Sequence, residues 1–139
     1  MTSRLEIPTE NQEQRAIVKW LSYHPIVRNY YCKINNEGQR TAGQGYNLQL
    51  MGLRRGASDL LIYYPVGRFS GLWIEMKRAK EYTISERNSL TWKAQVDFQE
   101  NVKRVGYVAF FAYGWVDAKN IIEKYLNDKS NIHHLGKVF

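Results

Sequence analysis

GASDLLIYYPVGRFSGLWIEMK, residues 56–77, holds two strand patterns and the turn between them. Ser58 to Tyr64 is apolar and rich in residues that favour extended backbone. Pro65 to Phe69 is turn material, with Pro and Gly two apart. Ser70 to Lys77 alternates: Leu72, Ile74 and Met76 are apolar, while Trp73, Glu75 and Lys77 occupy the positions between them. If residues 65–69 form the loop, Tyr64 faces Ser70 and every facing pair sums to 134, so Asp59 faces Glu75. Directly opposite residues of an antiparallel pair point to the same side of the sheet, with Cβ atoms about 5 Å apart.

A carboxylate pair at that separation repels itself unless something compensates it. A divalent cation is the natural compensation, because Mg²⁺ binds oxygen through one or two carboxylates and keeps sites for water or phosphate. Such an ion activates water and stabilises charge building on a phosphate. Lys77, two residues after Glu75, projects from the same face and could orient the water or neutralise the phosphate. The plainer reading is an exposed sheet face with Lys77 as a surface ion pair. Against it stands the sheet itself, which the rest of the sequence covers with helices on both sides.

Working outward, Thr9 is a helix N-cap with Gln12 at the capping-box position, and Glu10 to about Tyr23 reads as a helix carrying Ile17 and Leu21 on one side. His24-Pro25 ends it. Asn29 to Ile34 is a short strand pattern, Asn35 to Gly45 a polar, glycine-bearing loop, and Tyr46 to Leu53 a short helix closed by Gly52 or Gly56. Glu81 to Ser89 reads as irregular. Thr91 to Val105 reads as a helix with its apolar side at positions 94, 98, 102 and 105, and with Gly106 in the C-terminal cap position. Tyr107 to Tyr113 reads as a strand buried on both faces, and Asp117 as the cap of a last helix ending near Leu126. A helix between two strands makes a crossover and implies that they pair in parallel. The result is an α/β fold with a mixed central sheet flanked by helices, one domain over 1–139, with a core of about 9–126 and a tail from 127.

A surplus of 20 Lys plus Arg over 13 Asp plus Glu, net +7, suits a polyanionic partner. The single cysteine, Cys32, excludes an intramolecular disulfide and a thiolate zinc cluster; it reads as a small buried apolar residue. His133 and His134 have no third ligand at suitable spacing. No stretch is long and apolar enough to span a membrane, so no membrane partner is expected. A cytoplasmic, intracellular location follows, compatible with a bacterial or viral origin.

Asp59, fifteen residues, then Glu75-Met76-Lys77 resembles the D-(x)n-E-x-K motif of the PD-(D/E)xK nuclease superfamily. Gly56-Ala57-Ser58-Asp59-Leu60 resembles an element of one branch, the VRR-NUC (virus-type replication-repair nuclease) domains. Gln95 with Gly106 eleven residues on is similar to that family's Q-helix-G element, and Glu10, Gln14 and Leu21 resemble its opening motif. The resemblance implies a restriction-endonuclease-like αβββαβ core. It implies metal ligation by Asp59, Glu75 and the backbone carbonyl of Met76, with Mg²⁺ or Mn²⁺ as cofactor. Lys77 would be the catalytic lysine, and Gln95 would stand beside it holding nucleophile or phosphate. Glu10 would lean in from the first helix, with Glu13 as its rival. Lys33, Arg40, Arg54, Arg55, Arg78, Lys80, Arg87 and Lys93 are then candidates for contact with DNA phosphates. The implied activity is metal-dependent endonucleolytic cleavage of DNA, selective for branches, flaps or four-way junctions, by a homodimer acting in DNA repair. The rivals are a nicking or restriction-type nuclease on ordinary duplex and a non-catalytic nucleic-acid-binding module with a nuclease-like fold.

Overall fold

The hairpin register counted from the sequence is the register of the fold. In the computed structural model, which describes residues 6–34 and 41–127, strand β2 (Leu60–Ile62) pairs antiparallel with β3 (Leu72–Lys77). The facing pairs are Leu60 with Ile74, Leu61 with Trp73 and Ile62 with Leu72. Strand β1 (Tyr31–Lys33) pairs antiparallel with β2, and β4 (Val108–Tyr113) pairs in parallel with β3, giving a four-stranded mixed sheet in the order β1-β2-β3-β4. The expected αβββαβ core is therefore present, with helices on both faces.

Helix α1 (Glu10–Ser22) starts where the sequence says it should. The Thr9 hydroxyl accepts the Gln12 N–H, and the Gln12 side chain accepts the Thr9 N–H at 2.8 Å. α1 and α5 (Trp115–Asn127) pack on the apolar sheet face. There Leu60, Ile62, Leu72 and Ile74 are wholly buried against Ile17, Leu21, Ala118 and Ile122. Each such side chain contributes about 1.5–3 kcal/mol by leaving water. α4 (Leu90–Arg104) forms the crossover between β3 and β4 and covers the opposite face. Gly106 follows it at φ +99°, the left-handed conformation that lets the chain turn into β4.

Several boundaries differ from the sequence reading. The first strand shrinks to residues 31–33, preceded by a 3-10 turn at Val27–Asn29. Helix α2 (Ala42–Leu50) begins four residues earlier than expected, because Thr41 and Gln44 form a capping box that overrides the nearby glycines. The Glu81–Ser89 stretch is not wholly irregular: α3 (Ile84–Arg87) is capped by Thr83 and Glu86. Asp117 does not cap the last helix but sits in its first turn, accepting the Tyr113 N–H at 2.9 Å. β4 is not buried on both faces throughout, since Phe110, Phe111 and Tyr113 are half-buried, as is Cys32. Among the described residues no helix is long and apolar enough to cross a membrane.

Candidate active site

Residues paired across a sheet share a face, so the register sorts the side chains. Leu61, Trp73, Glu75 and Lys77 point away from the apolar core, together with their β4 partners Ala109, Phe111 and Tyr113. Asp59, one residue before β2, belongs to the same side. Asp59, Glu75 and Lys77 are each 5–7% exposed. Charges so buried need partners, and these come from each other and from α4.

The network can be followed atom by atom. The Met76 N–H donates to Asp59 Oδ2 at 2.9 Å. Gln95, from the second turn of α4, donates through Nε2 to Glu75 Oε1 at 2.6 Å and accepts the Lys77 ammonium through Oε1 at 2.8 Å. Its amide thus ties carboxylate to ammonium. Burial, and after it the neighbouring Asp59 charge, push the Glu75 carboxyl up to about 9, only partly offset by Lys77. Glu75 Oε2 is buried with no N–H donor reaching it and the Asp59 carboxyl beside it, while Trp73 Nε1 and Gln99 Nε2 are buried without a partner. Buried polar atoms are nearly always paired with protein, water or an ion. A divalent cation would satisfy the Glu75 oxygen and relieve the repulsion from Asp59, so the donor chemistry fits one. Among the described residues no group of three or more His, Cys, Asp or Glu is arranged to hold a metal; the carboxyls that lie side by side here are Asp59 and Glu75.

The loop that delivers Asp59 is fixed by Gly56, at φ +84°. A Cβ there would overlap the Ala94 carbonyl and approach Gln95 N to 2.9 Å, so the glycine lets the loop lie directly on α4 beside Gln95. Arg54 and Arg55 just before it and Lys93 just before Ala94 are exposed and rim this contact.

The other sequence candidates fall in distinct places. Lys33 is exposed at the end of β1, paired with Leu60. Arg87 is exposed, with its guanidinium 5.8 Å from the Trp92 ring centre. Lys80 is engaged with Glu86 at 3.0 Å and lies over the Tyr82 ring. Arg78 spends its guanidinium on the carbonyls of Ile7 and Pro8, at 2.8 and 3.0 Å, and so anchors the segment leading into α1. Arg40, His133 and His134 lie outside the described residues. Glu13 is buried at the start of α5, accepting the Trp115 N–H at 2.6 Å; Gly114 leaves the room it needs. Glu10 is exposed, and its charge reaches Glu75.

Two concavities, about 540 and 480 Å³, flank α1 and Trp115; neither is lined by Asp59, Glu75, Lys77 or Gln95.

No family model and no curated protein matches the chain. A solved structure of a VRR_NUC domain protein does: it superposes with a TM-score of 0.71 over 87% of this chain and 90% of that one, at 24% identity. The chain has the VRR_NUC fold. At that identity the likeness speaks for the arrangement of helices and strands.

Sequence reasoning placed the inward side of α4 only in part: Ala94, Phe98 and Val102 are half-buried, with Phe98 against Trp73. The positions buried are Trp92, Gln95 and Gln99, while Val105 is 69% exposed. It missed Trp92 altogether, although Trp92 stands three residues before Gln95, on the same helix face. Phe111 of β4 joins this side, its ring stacked on Trp92 at 5.0 Å and 5.7 Å from the Lys77 ammonium.

Proposed function

We propose that the chain is a divalent-metal-dependent deoxyribonuclease, an endonuclease that prefers branched DNA such as flaps or four-way junctions and acts as a homodimer. The observation that carries this reading is the buried Asp59–Glu75 pair, tied through Gln95 to Lys77, with no N–H donor on the second Glu75 oxygen. A chain gains nothing structural from burying two carboxylates side by side. Asp59, Glu75 and the Met76 carbonyl would hold Mg²⁺ or Mn²⁺, which when bound activates water and draws charge from the phosphate. Gln95 keeps Lys77 beside Glu75, where the ammonium can meet a phosphate oxygen. Exposed Lys33, Arg54, Arg55, Arg87 and Lys93 supply cations for the DNA backbone. Two copies related by a twofold axis would present two sites to two strands.

The test is cleavage of labelled linear duplex, single strand, flap and four-way junction with Mg²⁺, Mn²⁺ or EDTA, alongside light scattering for the dimer. Metal-dependent cleavage favouring branched substrates is expected. Cleavage that survives EDTA or Asp59→Ala would remove the metal-site reading. The rival reading is a non-catalytic nucleic-acid-binding module with the same fold. Binding without cleavage under every metal condition would decide for it.

A further inference from the structure

Lys77 carries a flexible four-carbon stem and a compact, strongly hydrated charge. At 7% exposure that charge has lost most of its water. Gln95 Oε1 gives it one neutral acceptor. On another side the ammonium lies 4.4 Å from the centre of the Trp92 ring, within the range in which an aromatic face attracts a cation. We propose that Trp92 is a positioning residue for Lys77, its indole face and Gln95 together forming a two-point clamp that aims the ammonium at the phosphate. The catalytic half of this inference rests on the nuclease reading; the clamp itself does not.

Five further observations support the clamp. Trp92 and Gln95 lie three apart on α4, so both contacts reach Lys77 from one helix face. The position of Trp92 is set by the helix cap, since its N–H donates to the Ser89 hydroxyl at 3.1 Å. The ring is wedged between Phe111, stacked at 5.0 Å and 21°, and Tyr82 at 5.1 Å. Tyr82 is in turn held by the Arg78 N–H, which donates to its hydroxyl at 2.9 Å from the residue next to Lys77. Trp92 is buried yet stands outside the main apolar cluster. Its packing serves the Lys77 side of the sheet.

The experiment replaces Trp92 with tryptophans carrying one, two and three fluorines, which thin the negative ring face while keeping the ring's shape. On cleavable DNA, kcat should fall about twofold per fluorine with KM unchanged. Trp92→Phe should retain most of kcat, and Trp92→Leu should lose roughly tenfold. Independently of activity, the Lys77 ε-methylene protons should resonate upfield in the wild type, under the ring, and return to the ordinary lysine position in Trp92→Leu. A flat kcat across the fluorine series, or an unchanged Lys77 resonance in Trp92→Leu, would overturn the proposal. Should Trp92→Leu fail to fold, the fluorine series still decides. Should the wild type cleave nothing with any metal, the nuclease reading fails, and the Lys77 resonance across the fluorine series decides the clamp alone.

Discussion

The two faces of the sheet are built from the same six residues of β3 and have little else in common. Leu72, Ile74 and Met76 point toward α1 and α5 and are at most 2% exposed among aliphatic side chains. Trp73, Glu75 and Lys77 point toward α4, where Phe98 meets Trp73 but Glu75 and Lys77 are met by Gln95 and Trp92. One face lowers the free energy of the fold by burying apolar area. The other spends some of it on buried charge and unpartnered polar atoms. A strand that stabilises on one side and destabilises on the other marks where selection acts on chemistry instead of packing.

The strongest way to break this contrast is to exchange the outcomes of mutations on neighbouring residues. Asp59→Asn, Glu75→Gln or Lys77→Met should each lower the cleavage rate by about 10³-fold or more while leaving a cooperative unfolding transition. Ile74→Ala or Leu72→Ala should do the reverse: a loss of about 2–5 kcal/mol in urea unfolding, with the rate per folded molecule close to wild type. If Ile74→Ala abolished cleavage without unfolding, or Asp59→Asn unfolded the chain, the two faces would not be separable as described.

The same contrast explains what the sequence could reveal. The hairpin was legible because period-two alternation and a countable loop fix the register, and the apolar face was legible because hydrophobic periodicity reports apolar burial. The α4 side was not. A helix that packs on charged residues buries Gln95, Gln99 and Trp92, and an apolar-periodicity count selects the half-buried stripe of Ala94, Phe98 and Val102 beside them. Glu13 illustrates a second limit: its carboxylate caps a helix 102 positions away, which no local pattern announces. The early start of α2 was readable in principle from Thr41 and Gln44, but Gly43 and Gly45 argue for a loop at the same positions.

A smaller effect tests how the polar face is assembled. Gly56→Ala places a methyl group against the Ala94 carbonyl and forces a side chain onto a φ of +84°. Stability should fall by about 1–3 kcal/mol, and kcat should fall with it because Gln95 is pushed from Glu75. A thermal melt paired with cleavage kinetics would detect both. An active, fully stable Gly56→Ala would mean that the loop does not rest on α4.

The charge on Glu75 adds a pH signature found only on this face. Its carboxyl is raised in the folded chain, from 4.5 to about 9, by burial first and Asp59 second. The folded state therefore prefers the protonated form. That contribution to stability is fully present below pH 4.5 and is lost as pH rises toward 9. In EDTA, Glu75→Gln should be more stable than wild type at pH 8, by on the order of 5 °C in Tm, and the advantage should vanish at pH 4. Melts across pH 4–9 would show it, and a wild type as stable as the variant at pH 8 would contradict a buried, repelled carboxylate.

The rim makes the finest distinction, between cations that build the fold and cations available to DNA. Arg78 and Lys80 are already committed, to backbone carbonyls and to Glu86, whereas Arg54 and Arg55 are exposed beside the Asp59 loop. A side chain that contacts a phosphate releases counterions when DNA binds, so its loss flattens the dependence of log K on log salt by about 1. Arg54→Gln and Arg55→Gln should each do this at little cost to folding, since surface charges contribute little stability. Lys80→Gln should leave the slope unchanged. Arg78→Gln should leave it unchanged too but loosen the segment before α1, visible as faster amide exchange at Thr9 and Gln12. Binding titrations between 50 and 200 mM salt separate these cases. A slope that moves for Arg78 and not for Arg54 or Arg55 would relocate the DNA track from the loop beside Gly56 to the α1 side of the sheet.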